Sequence, residues 1–460
     1  MSPIFLFAFS NKLLYSIGKA KLLPIFTREE FNVKKFIVIL LTLALALTSV
    51  FAQAATETAE QETITLWTYP IGGWGDEAQV KALTDAFTAE TGIVVEVQYL
   101  TYTDGDDKVN TALSAGQAPD LIMEGPERLV ANWGAKGYMV DLSDLIDAED
   151  REQIIPATLN ACETADGKVY EYPLVMTAHC MAINLDAFKA AGADKYVDLE
   201  TRTWTTDDFI NAVNALYAHY KTTVGAVFCG GQGGDQGTRV LINGLYGGTF
   251  TNAEHTAYTW NSPENIKALE TLYNLDGIAY DPSIVGGDEI TLFRNGTLKM
   301  AFCWNIAQQL PGDTTGGTTY DGEEIVFMSF PSQTGETELN GGIWGFGIFD
   351  NGDEKKIEAA KKFIKYICDG PKTEEAIKTA KYFAARTAAD GRDLSQLWAD
   401  NEVMNEYNIL MQYLGDYYQV TTGWATARTC WWNMLQAVGA GQDIPTVVAQ
   451  FEAQANAAAK

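Results

Sequence analysis

Residues 167–188 read GKVYEYPLVMTAHCMAINLDAF. The run is mostly apolar and extended in character, and it is far longer than the usual strand of about five or six residues. A stretch of this kind suits a chain that passes from one folded unit into another. The length agrees: 460 residues exceed one core of typical size, so two domains are the default.

On the N-terminal side, strand and helix patterns alternate. ITLWTY puts Ile64 and Leu66 on one side of a strand, which makes Trp67 a candidate for its core. DEAQVKALTDAFTAETG places Val80, Leu83 and Phe87 at helical spacing and closes on Gly92. IVVEVQYL reads as a strand with Val95, Val97 and Tyr99 on one face. DKVNTALSAGQ is a short helix ended by Gly116, and PDLIMEG is a buried strand of the parallel type. Such alternation implies an α/β layer architecture.

On the C-terminal side, Thr205 or Thr206 caps a helix with acids in its first turn. Ser262 and Pro263 open another. EKKIEAAKKFIKYICDG is amphipathic and stops at Gly370, and GQDIPTVVAQFEAQANAAAK is a terminal helix. Gly225–Gly248 is too irregular for one element and reads as loops suited to approaching a ligand.

KKFIVILLTLALALTSVFAQA carries a basic start at Lys34–Lys35, an apolar run from Phe36 to Leu47 and the small-residue pattern Ala52-Gln53-Ala54. That is the pattern of a secretory signal peptide cleaved after Ala54. The basic start lies 33 residues in, so Val33 is the expected true start and residues 1–32 an upstream extension. No cysteine near the cleavage site provides for a lipid anchor. Cleavage removes six basic and two acidic residues and moves the net charge from −28 to −32. Phosphate backbones are repelled by such a chain, so nucleic acid is excluded as a partner. Six cysteines form no CxxC pair; free buried thiols are expected, with one bridge left open.

The motifs of covalent chemistry are missing. His179, His219 and His255 are scattered, without zinc spacing. DGDDKVN, from Asp104, starts like a calcium loop but meets Ala115 where the closing acid belongs. There is no GxSxG elbow and no GxxxxGK[ST] loop. GGQGGDQG is not followed by the acid a dinucleotide fingerprint needs. No metal, cofactor or catalytic residue is therefore expected.

Aromatic and polar residues instead gather at loop positions. Tyr69 and Trp74 follow the first strand; Glu124, Glu127 and Arg128 follow PDLIM. Thr177 and His179 lie in the long run, and His179 reads equally as a hydroxyl donor or an interior histidine. Asp235 and Gln236 sit in the glycine-rich loop, Trp304 and Asn305 follow LKMAFC, Trp344 lies in NGGIWGFGIF and Trp424 in TTGWATART. Sugars suit such a set, because their C–H faces stack on rings while their hydroxyls need paired donors and acceptors.

Taken in order, these stretches resemble the extracellular solute-binding proteins of bacterial ABC importers, in the carbohydrate-binding family that includes maltose-binding protein. The series runs through SAGQAPDLIM, LVANWGAKGYMVDLSDLI, DGKVYEYPLVMTAHCMAIN, TWTTDDFINAV, NSPENIKALETL, LFRNGTLKMAF, NGGIWGFGIF and GWATART. The resemblance implies an α/β, two-lobe periplasmic-binding-protein fold with a hinge and an interlobe ligand cleft. It implies three crossings between lobes, placed near Met176–Ala182, Gly342–Gly345 and Phe383–Thr387. The lobes are then 55–178 with 344–385, and 179–343 with 386–460. It puts Trp424 where a tryptophan stacks on the sugar, and Thr177 where maltose-binding protein has a ligand-contacting acid, so the ligand is read differently here. The implied role is an exported, monomeric binding protein without enzymatic activity that delivers a carbohydrate, an oligosaccharide, to a membrane permease. The same scaffold binding a polyamine, and a secreted glycosidase, stand as alternatives.

Overall fold

The computed structural model describes residues 61–102, 104–231, 235–310 and 317–460. The signal-peptide reading of 1–54 lies outside the described residues. None of the described helices is long and apolar enough to cross a membrane.

The chain forms two α/β lobes. The first holds strands β1 (Thr63–Thr68), β2 (Val94–Tyr99), β3 (Leu121–Glu124) and β4 (Tyr172–Ala178). The second holds β5 (Cys180–Asn184), β6 (Gly225–Phe228), β7 (Ile278–Asp281), β8 (Met300–Trp304) and β9 (Ile325–Met328). The chain then returns with β10 (Gly341–Ile348) and β11 (Phe383–Ala384), which complete a six-stranded sheet in the order β11-β4-β10-β3-β1-β2. In it β1 runs parallel to β2 and β3, while β10 runs antiparallel to β3 and β4. The second lobe has an antiparallel sheet β8-β5-β9 and a parallel pair β6-β7. Its two sheets meet where the Val224 carbonyl accepts from the amides of Lys299 at 2.7 Å and Met300 at 3.1 Å.

The long apolar run is two strands in two sheets, and His179 alone separates them. Farther on, Arg386 is tied to the first lobe by Asp150 (3.1 Å), Asp369 (2.8 Å) and the Tyr172 hydroxyl (3.1 Å). Tyr407 bridges the two sheets, donating to the Ala178 carbonyl of β4 at 2.8 Å and packing on Phe327 of β9 and Phe383 of β11.

Local rules account for the helices. Asp76 caps α1 (Glu77–Thr91) by accepting from the amides of Ala78 and Gln79, and Gly92 ends it in the left-handed conformation. α2 (Gly105–Ser114) follows β2. Thr205 opens α3 (Thr206–Tyr220) in a reciprocal capping box with Asp208. The glycine-rich segment read as loops also contains β6 and the helix α4 (Gln236–Tyr246), whose Val240, Leu241, Ile242 and Leu245 are buried. Its glycines hid the pattern because they serve close packing: a Cβ on Gly237 would stand 1.5 Å from the Phe302 carbonyl oxygen. Ser262 and Pro263 open α5 (Pro263–Asn274) as read. α6 (Glu354–Cys368) and α7 (Thr373–Ala380) pack on the first lobe. α8 (Trp424–Gly439) and the terminal α9 (Ile444–Ala458) pack together in the second. None of the six cysteines is in a disulfide, and five of them are buried.

Ile64 and Leu66 are buried as the alternation of β1 requires, but Trp67 points to the other face and is only half-buried. Trp74 is the larger correction. Expected at a cleft, it is fully buried in the first lobe, where its Nε1–H donates to the Ala376 carbonyl at 3.2 Å and its ring meets Phe346 edge-on at 5.3 Å. Trp74→Ala is expected to destabilise the protein by about 3–5 kcal/mol in chemical denaturation, from lost burial and an orphaned carbonyl.

Candidate functional site

The carboxyl ends of β1 and β3 bring one group of side chains together. Arg128 lies in the turn after β3, beneath the rings of Tyr69 and Tyr102, 5.1 and 5.7 Å from their centroids. It donates to Asp106 (2.7 Å), Glu124 (3.1 Å) and Glu127 (3.3 Å). Tyr69 is buried, donates to Asp106 at 2.5 Å and stacks under Tyr102 with centroids 5.2 Å apart. Tyr102 keeps 46% of its surface exposed. It is the open ring of this wall, with Tyr69 as its backing.

Burial pushes the Glu124 carboxyl up to about 8, against the pull of Arg128. Burial works the same way on Asp106, but Arg128 and the Tyr69 hydroxyl outweigh it and hold that carboxyl below its usual range.

The second lobe presents a matching arrangement. Asp235 stands between Arg239, four residues on along α4, and Arg428 of α8. Burial would raise the Asp235 carboxyl, but the two guanidinium groups hold it well below its usual range. Arg239 also donates to the Tyr418 hydroxyl at 3.2 Å and lies 4.8 Å from the Trp424 ring centroid. The walls meet through Tyr417, whose hydroxyl donates to Glu127 at 2.7 Å. Gln419, beside it, donates to Asn340 at 3.0 Å and to the Gly341 carbonyl at 3.3 Å.

Thr177 and His179 lie at the junction of β4 and β5. Both are buried, and among the described residues neither the Thr177 hydroxyl nor His179 Nε2 has a hydrogen-bond partner. Gln236 Oε1 and Trp424 Nε1 are orphaned in the same way. Buried polar atoms are normally satisfied, and these four belong to residues singled out from sequence. Burial and then Arg239 lower His179 to about 4.

Other readings are corrected. Trp304 fills the core of the second lobe, with Nε1–H donating to Gln309 at 2.9 Å and its ring edge-on to Phe293. Asn305 caps a short helix, accepting from the Ala307 amide at 2.8 Å, while Gln308 returns a bond to the Asn305 amide. Trp424 is only 5% exposed, and Arg239, Phe250 and Tyr418 cover it, so its ring is packing rather than an open face. Trp344 is half-buried and stacks on Tyr382 at 4.9 Å.

Sequence reasoning missed Tyr102, Asp106, Arg239, Tyr417 and Gln419. TYTDGDD directly after a strand, and the paired tyrosines of GDYYQV just ahead of GWATART, were the available signals. Among the described residues no three His, Cys, Asp or Glu side chains group to hold a metal ion.

The profile of the bacterial extracellular solute-binding proteins matches residues 73–368. No curated protein matches this chain in sequence. Several solved structures share the fold across their whole length. The GacH receptor of Streptomyces glaucescens, described unliganded and with acarbose, has a TM-score of 0.67 at 16% identity, over 85% of this chain and 97% of its own. The cyclic α-maltosyl-1,6-maltose binding protein of Arthrobacter globiformis has 0.68 at 18%, over 86% and 99%. An ABC substrate-binding protein of Listeria monocytogenes, in complex with cycloalternan, has 0.66 at 21%, over 86% and 99%.

The lowered His179 gives a signed expectation. Its contribution to stability is complete above about pH 6.5 and is lost as pH falls through about 4. Between pH 7 and pH 4 the wild type should lose roughly 3 kcal/mol more unfolding free energy than His179→Gln, read from urea titrations at each pH.

Proposed function

The chain belongs to the bacterial extracellular solute-binding proteins, and from that membership we propose that it binds a neutral oligosaccharide between its lobes and hands it to an ABC permease. It acts outside the cytoplasm after removal of a signal peptide, as a monomer, and makes or breaks no covalent bond in its ligand. Sugar and permease are its partners.

One observation carries the reading: the charges of the two walls are held in ion pairs and balance when both walls are taken together. Asp106, Glu124 and Glu127 surround Arg128, and Asp235 sits between Arg239 and Arg428. With Glu124 protonated, three acids face three guanidinium groups. Such a cleft has no surplus charge for a polyamine, yet offers many oriented acceptors and donors. Hydroxyls can use both kinds at once. Tyr102 adds an apolar platform, and the orphaned atoms of Thr177, His179, Gln236 and Trp424 add unmet hydrogen-bonding capacity. The saccharides named for the similar structures are compatible with this chemistry.

Closure requires a hinge. We place two of its strands at the β4–β5 junction and at the start of β10. The third crossing falls between Arg386, held by the first lobe, and Glu402, where the helix leading to Tyr407 begins. That is later in the chain than Phe383–Thr387.

Calorimetry against neutral mono- and oligosaccharides and a set of polyamines, with product analysis, tests the reading. An oligosaccharide should bind without turnover. Tight polyamine binding with no response to sugars, or steady product release, would overturn it. Tyr102→Ala should weaken the sugar at least tenfold, about 1.4 kcal/mol, with an unchanged melting temperature. Trp424→Ala should lower affinity and melting temperature together, because its ring is packed.

A further inference from the structure

A second buried carboxyl lies behind the Arg128 cluster. Glu171, immediately before β4, has no exposed surface, and neither of its carboxyl oxygens has a hydrogen-bond partner. It lies within the electrostatic reach of Glu127, Glu124 and Tyr417. Glu124 itself is 1% exposed and receives bonds only from Arg128 and the Gly125 amide. An uncompensated carboxylate in such a place is costly, and the group holds a proton instead.

The cover of this pocket comes partly from the other lobe. Tyr417 is nearly buried and reaches Glu127, and the segment that follows it packs on the turn of Arg128. Tyr418, in that segment, stacks on Phe250 and bonds Arg239, so the cover moves with the second lobe. The first-lobe side has no slack to fill the space: a Cβ on Gly125 would stand 2.6 Å from Glu127 Oε2 and 2.8 Å from the Ile343 carbonyl oxygen. A parting of the lobes would carry Tyr417 away from Glu127 and admit water to the cluster.

We propose that Glu124 is a proton-binding site that fills as the lobes close, so that capture of the ligand takes up one hydrogen ion. The step is a simple proton transfer: a solvent hydronium ion gives its proton to the Glu124 carboxylate, one O–H bond breaks in the hydronium, one forms on Glu124, and water is released. The groups that face Glu124 are Arg128 and Glu127 on the following turn and Asp106 on α2. Tyr69 and Tyr102 face it from the ends of β1 and β2, Glu171 from before β4, and Tyr417 from the second lobe. Arg128 is the only cation among them, and three carboxylates already share it. The closed form thus binds more protons than the open form, and raising the pH favours opening. Because burial in the closed form lifts Glu124 to about 8, the closed-to-open ratio falls by up to tenfold per pH unit below that value and levels off above it.

This rests on closure of the two lobes but not on the identity of the sugar, and it can be tested with none added. Small-angle X-ray scattering of the protein from pH 6 to 9.5 should show the radius of gyration rising toward pH 8 and then flattening. Glu124→Gln, which carries no titratable proton, should stay compact throughout. Tyr417→Phe should be more open than the wild type at every pH. An unchanging radius in the wild type overturns the proposal. So does the same pH dependence in Glu124→Gln. A failure to bind any oligosaccharide would overturn the proposed function and leave these scattering results standing.

Discussion

Everything in the cleft depends on the single residue between β4 and β5. β4 is held between β10 and β11 in one sheet, and β5 between β8 and β9 in the other. An inner strand of each lobe thus shares one continuous backbone, with His179 as the only link. The His179 amide donates to the Asn340 carbonyl at 3.0 Å, and Tyr407 bonds the Ala178 carbonyl, so the link is clasped from both sides. A backbone fixed this firmly leaves only a few dihedrals free at the junction. It also seals polar atoms at the junction away from water. That is why the Thr177 hydroxyl and His179 Nε2 are buried without a partner among the described residues.

The two walls solve one problem in the same way. A cleft that binds hydroxyls needs strong donors and acceptors, and it needs them oriented before the ligand arrives. Isolated charges would bring large desolvation costs and favour charged solutes. Placing Arg128 among three acids, and Asp235 between two arginines, keeps the groups polar and rigid, and the acidic excess of one group opposes the basic excess of the other. Pairs of this kind add little to stability. Their use here is to hold side chains in place.

The sequence made the fold readable where the physics is local. Thr205, Ser262, Asp76 and Gly92 act within a turn of their own positions, and each does what its type suggests. The run at 167–188 announced a crossing because no single strand needs so much apolar chain. The α4 helix was obscured because its glycines answer to Phe302, a residue far away in sequence. The site was less legible for the same reason. Glu124, Glu127 and Arg128 stood out because charged residues directly after a buried strand have few structural uses, and Asp235 because it lies in a glycine-rich segment. Asn305 was misread although Gln308, three residues on, completes a recognisable capping pattern. Tyr417 acts through Glu127, almost three hundred residues earlier in the chain, and no spacing rule reports such a contact.

The tryptophans show why composition alone misled. A buried tryptophan removes roughly 150–250 Å² from water, which at about 25 cal/mol per Å² is a gross gain of about 4–6 kcal/mol. Trp74, Trp304 and Trp431 take that gain in full, and Trp424 takes most of it. A tyrosine gives up less when half-exposed, because its hydroxyl prefers water or a polar partner anyway. Tyr102 stands open at the cleft, and Tyr417 and Tyr418 use their hydroxyls to bond Glu127 and Arg239 across and within the walls. The largest rings therefore build the walls, and the rings with polar tips line them. If this cleft takes a sugar, as proposed, its selectivity rests on the geometry of the arginine–carboxylate groups more than on stacking. A ring face accepts many sugars, whereas fixed donors and acceptors match only those whose hydroxyls fall in the right places.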